Sequence, residues 1–182
     1  ANVGIASIKR WEGGLVQTKS MDAILRRVLT GKETPRDTYT GNRGGVSLPR
    51  IKLVLGEFGK ALGRKILRSS DNGVLYAGKY LFYADIIAFR ELGQSMTGAS
   101  YAAMPHGPQL DNYRDLVDSI QAADEKEAEP LTDQEKRITR RIARAFPNDQ
   151  SIYKAVHKEE VFREKKPGEH FLYPEAERLR RI

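Results

Sequence analysis

The chain has 182 residues, 31 Lys and Arg against 24 Asp and Glu, a formal net charge of +7 and no cysteine. Its length suits one or two small domains, and the missing thiols exclude disulfides, thiol catalysis and Cys-based zinc sites within it. No run approaches the roughly eighteen apolar residues of a membrane-spanning helix and no signal peptide is visible, so a cytoplasmic protein with an acidic partner, nucleic acid or protein, is expected.

Residues 1–33 read as two short helices. Ile5, Ile8 and Trp11 recur at helical spacing, and Gly13-Gly14 ends the first helix. Ser20 caps a second helix whose stripe is Met21, Ile24, Leu25, Val28 and Leu29. The residues alone also fit an ordinary amphipathic pair with solvated Lys and Arg. The run Gly4-Ile5-Ala6-Ser7-Ile8-Lys9-Arg10-Trp11-Glu12-Gly13 resembles the second half of a Cro/repressor-type helix-turn-helix. That resemblance implies operator DNA as a partner and a symmetric homodimer. Ile5, Ala6 and Lys9 would face the major groove, with Ser7, Arg10 and Lys19 at phosphates. The first two helices of such a unit would precede Ala1.

Residues 34–50 are poor in apolar side chains and rich in turn formers, and read as a linker between two domains. Pro49 then stands near the start of a helix to about Arg68, with Ile51, Val54, Leu55, Phe58, Leu62 and Ile66 as its stripe. Gly56, Gly59 and Gly63 suggest close packing against another helix. The run from Val74 or Leu75 to Gly93 is apolar nearly all round, so a central helix covered on most faces is expected. Its charges Lys79 and Asp85 must be paired or reach water. Each reads as a cap or ion pair, or as part of a partner surface.

Thr97 to Met104 reads as a short strand or hairpin arm, bent at His106-Gly107-Pro108 into a helix carrying Leu110, Tyr113, Leu116, Val117 and Ile120. An acidic loop follows at 123–130. Thr132 and Glu135 then have the spacing of a capping box, with Leu131 as a hydrophobic staple. The helix they open would bury Ile138, Ile142, Ala145 and Phe146. Its other face carries Lys136, Arg137, Arg140, Arg141 and Arg144. That face suits nucleic acid, an acidic protein surface or plain solvent. A short helix at Ile152–Val156 and a last one opened by Pro174, docked by Ala176 and Leu179, complete a mainly α fold.

Three segments in order resemble one family. They are Lys79-Tyr80-Leu81-Phe82-Tyr83-Ala84-Asp85, then Arg90-Glu91-Leu92-Gly93-Gln94-Ser95-Met96-Thr97-Gly98, then Tyr101 with Pro105-His106-Gly107-Pro108 and Tyr113. The chain over roughly 51–182 is similar to the Panacea, or SocA-like, antitoxin domain. His106 stands where that family has Tyr. The resemblance implies an antitoxin that binds a cognate protein toxin, or a proteolytic adaptor that delivers one. Its candidate toxin-binding residues are Lys79, Asp85, Tyr101, His106, Pro108, Tyr113, Arg137 and Arg141. No nucleotide loop, dinucleotide motif or metalloprotease motif is present, so no cofactor, no metal and no enzyme are expected. A hydrolase built on His106 would need a carboxylate or nucleophile within hydrogen-bonding range.

Overall fold

A computed structural model describes residues 37–67, 73–111 and 113–182. The DNA-contacting residues expected at Ile5, Ala6, Ser7, Lys9, Arg10 and Lys19 lie outside the described residues. The fold is mainly α, with one small antiparallel hairpin.

The first described helix, α1 (Asp37–Thr40), is a single turn. Helix α2 (Leu48–Leu62) is capped by the Ser47 side chain, which accepts from the Arg50 amide, and Pro49 occupies its first turn. Ile51, Val54, Leu55 and Phe58 form its buried face. It stops six residues earlier than its apolar spacing suggests. Gly63 takes the left-handed conformation there and donates to the Gly59 carbonyl. Ile66 and Leu67 are still buried beyond the end. The glycine expectation also changes. Gly56 and Gly63 have open space where a Cβ would stand, and Gly59 faces only the Arg64 carbonyl. The close approach is instead at Gly78 of the next helix, where a Cβ would lie 2.5 Å from the Gln109 side chain.

That helix, α3 (Gly73–Leu92), is the centre of the fold. Every residue from Ala77 to Ala88 is buried, because α2, the hairpin, three later helices and the C-terminal segment pack around it. Gly93, left-handed, ends it by donating to the Phe89 carbonyl at 2.9 Å. The chain then reaches β1 (Tyr101–Met104) and β2 (Gly107–Leu110), paired from Tyr101↔Leu110 to Met104↔Gly107. The turn is therefore Pro105-His106, and Gly107, Pro108 and Leu110 belong to a strand rather than to a bend and helix. The free edge of β1 is covered by the tail. Ala103 donates to the Glu169 carbonyl, Gly168 to the Ala103 carbonyl and Phe171 to the Tyr101 carbonyl, at 2.7–2.8 Å.

Helix α4 (Tyr113–Ala122) precedes an exposed 3-10 turn at Glu125–Glu127. Helix α5 (Asp133–Ala145) opens on the expected reciprocal cap. The Glu135 amide donates to Thr132 Oγ1 at 3.2 Å, and the Thr132 amide to Glu135 Oε2 at 2.7 Å. Ile138, Ile142 and Phe146 are buried as the spacing implies. Ala145 is exposed, and Ala143 takes the inward place one ridge earlier. Helices α6 (Asp149–Val156) and α7 (Glu160–Arg163) lead to a 3-10 segment, Tyr173–Arg178, with Pro174 in its first turn. Ala176 and Leu179 are buried there as expected.

The stretch expected as a linker is a docked strap from residue 37 onward. Gly41 O accepts from the Ser95 amide at 2.8 Å, and Arg43 Nε donates to Ser95 O at 2.7 Å. Ser47 donates through its amide to Thr97 O at 2.9 Å. Turn-forming composition signals a lack of helix and strand. It does not signal a lack of tertiary hydrogen bonds, and here the backbone bonds go to the 93–98 loop.

Candidate functional site

Helix α3 carries both charges that the sequence singles out, and the fold encloses both completely. Asp85 accepts from the Thr97 amide at 2.8 Å, from the Thr97 hydroxyl and from the Tyr101 phenol at 2.6 Å. Burial pushes its carboxyl upward, and these donors oppose that rise. Burial also holds the Tyr101 and Tyr173 phenols well above their usual range, so both stay protonated. Tyr173 donates to Ala99 O at 2.7 Å. Asp85 thus ties the loop after α3 to the start of β1. It forms no ion pair with Lys79.

Lys79 has a different setting. Its ammonium donates to Leu75 O at 3.1 Å and lies 5.8 Å from the Tyr76 ring centroid and 5.7 Å from that of Tyr153. No carboxylate pairs with it among the described residues. Burial alone pushes its pKa down to about 7. The hairpin lies directly above it. Gly107 has φ +106, and a Cβ there would fall 2.8 Å from Lys79 Cε and 3.1 Å from Val156 Cγ2. Only glycine lets the strand sit this close to the lysine stem. Gln109 lies beside it, buried, with its Nε2 on Leu75 O at 2.9 Å and its Oε1 without a partner among the described residues.

The remaining expected contact residues are scattered. Lys79, Asp85, Tyr101 and Pro108 are buried and shape the hairpin from within. Tyr113 is half-buried at the start of α4. His106 is exposed in the hairpin turn and makes no hydrogen bond among the described residues. It lacks the carboxylate that a general base at this position would need. Arg137 is exposed.

Arg141 is bound to Glu91, and Arg140 to Glu57 at 2.9 Å. The basic face of α5 is therefore partly neutralised by α2 and α3. A shallow groove of about 480 Å³ beside α7 is lined by both signs, including Lys158, Glu160, Arg163 and Glu164, and Arg178 pairs with Glu164 there at 2.6 Å.

Other polar groups reach across the fold without any local signal in the sequence. Arg50 binds Glu135 while also donating to Met96 O and, at 2.8 Å, to Glu129 O. Tyr83 donates to Glu159 at 2.8 Å, and the other Glu159 oxygen accepts from the Arg180 amide at 3.1 Å. His170 Nε2 lies 2.8 Å from Asp111 Oδ2, which fixes the tail beside the hairpin.

The sequence was also compared with known proteins. The family model described as antitoxin SocA-like, Panacea domain, matches residues 78–169. No curated protein and no solved structure matches. The matched range covers most of α3, the hairpin, α4 to α7 and the beginning of the tail stretch that edges β1, as far as Glu169.

Proposed function

The chain belongs to the SocA-like Panacea antitoxin family, and from that premise we propose that it neutralises a cognate protein toxin by binding it directly. The observation that carries the proposal is the family match itself, which spans the helix and hairpin around which the described fold is built. The role is non-catalytic: the domain covers the toxin's active surface in the cytoplasm. Residues 51–182 act as the toxin-binding unit and residues 1–33 as part of a helix-turn-helix. Through that unit the protein, as a homodimer, represses its own operon. The spacing of Ile5, Ile8 and Trp11 and the Arg10-Trp11-Glu12-Gly13 run support this second role.

The test is co-expression of the full chain with the protein encoded by the adjacent gene. Relief of growth arrest with a stoichiometric complex on sizing is the expected result. Relief with disappearance of the toxin would point to proteolytic delivery instead. Persistent arrest, with no complex, would refute the antitoxin reading. For the DNA role, binding to the DNA upstream of the operon should weaken steeply with salt.

A further inference from the structure

Strand β2 closes over two buried polar groups whose hydrogen bonding is incomplete, and both lie at one point of the fold. Lys79 Nζ and Gln109 Nε2 donate to the same acceptor, Leu75 O, at 3.1 and 2.9 Å. Gln109 Oε1 has no partner among the described residues. An ammonium has three N–H groups, and the shared carbonyl serves one of them. The Tyr76 and Tyr153 rings soften the loss without replacing those bonds. A charged Lys79 under β2 therefore carries a penalty that a neutral amine does not.

The charges nearby are engaged elsewhere. β2 carries no ionisable side chain. On α3, Asp85 is held by Thr97 and Tyr101, and at the start of α6, Asp149 is held by Arg64 at 2.5 Å. Asp111, just past β2, lies 2.8 Å from His170. His157, packed on Tyr153, has Nδ1 2.7 Å from Tyr153 O, while Lys154 and His106 are exposed.

The two strands are also held unequally. β1 is tied to the tail by three backbone bonds and to Asp85 through Tyr101. β2 has four residues and, among the described residues, pairs only with β1, resting otherwise on α3 and α6. It can lift while β1 keeps its anchors.

We propose that β2 is a proton-operated latch: it closes on a neutral Lys79, and it parts from α3 and α6 when Lys79 is charged, so that the ammonium and the Gln109 oxygen reach water. The latch does not depend on the antitoxin reading. Closed, the amine titrates at about 7; open, in water, it titrates near the ordinary 10.5. The open state binds more protons between these values, so opening grows as pH falls and levels off below about 7. From pH 8 to pH 6 the opening constant rises about tenfold.

Amide hydrogen exchange of the full chain, followed by NMR at pH 6 and 8 and corrected for the intrinsic rate, tests this at Gly107, Gln109 and Leu110. In wild type these amides should open about tenfold more at pH 6, independently of low urea, while those of Ile86 and Ile87 in α3 stay protected. K79M should slow β2 exchange at pH 6 and remove the pH difference. Wild-type β2 amides that open only together with α3, with the urea dependence of global unfolding, overturn the latch, and that reading does not require K79M to fold. Equal opening at the two pH values in wild type overturns it too, as does an undiminished pH difference in K79M.

Discussion

Replacing Lys79 with Met should make the protein more stable, not less. The lysine is fully enclosed, meets no carboxylate among the described residues and has its pKa pushed down to about 7 by burial. The unfolded chain keeps an ordinary lysine near 10.5. Between these two values the unfolded state binds more protons, so stability rises with pH across that window. Below about 7 both states are protonated and the penalty is complete. Its ceiling is about 5 kcal/mol, from about 1.4 kcal/mol per pH unit.

The substitution also removes the hydrogen bond to Leu75 O, a loss of about 1 kcal/mol. The carbonyl keeps a donor, because Gln109 Nε2 also binds it. A net gain of about 3 kcal/mol at pH 6 is therefore expected, shrinking to within about 1 kcal/mol by pH 10. Urea unfolding of wild type and K79M at pH 6, 8 and 10 measures it, and taking the difference cancels the titration of all other groups. A K79M protein less stable at pH 6, or a difference that does not change with pH, would refute the reasoning.

Two further substitutions probe the loop that receives the strap. Asp85→Ala should lower stability by about 3 kcal/mol or more, because Tyr101 OH and two Thr97 donors are left buried without an acceptor; chemical denaturation measures it. Gly98→Ala should release the strap, since Gly98 has φ +74 and its added Cβ would lie 2.0 Å from Gly45 O. A loss of about 2 kcal/mol and faster tryptic cleavage after Arg43 are expected, and cleavage at the wild-type rate would sink this account.

How much of this was legible beforehand depended on the range of each signal. The Thr132–Glu135 cap was legible because its two partners are three residues apart on one turn. The nearly all-round apolar run of α3 likewise told of a helix covered on most of its faces. The Ala145 expectation failed by one ridge, since apolar period alone does not say which of two alanines turns inward. Gly107 read as part of a bend, and only its pairing with Met104 revealed a strand pressed on Lys79. The toxin-contact candidates drawn from motif residues were mostly interior, because a motif built around a central helix is rich in residues that hold that helix.

The sequence by itself determined a mainly helical chain, the central helix, its Gly93 stop, two unusual charges within it and the resemblance to a family of antitoxins. These are properties of local spacing, and local spacing is written along the chain. Only the tertiary structure decided that Asp85 is satisfied by Thr97 and Tyr101 while Lys79 meets no carboxylate among the described residues. It also decided that residues 37–50 dock on the 93–98 loop, that Arg50 meets Glu135, and that the α5 arginines are partly neutralised. Each of these is a contact between residues distant in sequence, whose partner is chosen by how the elements pack.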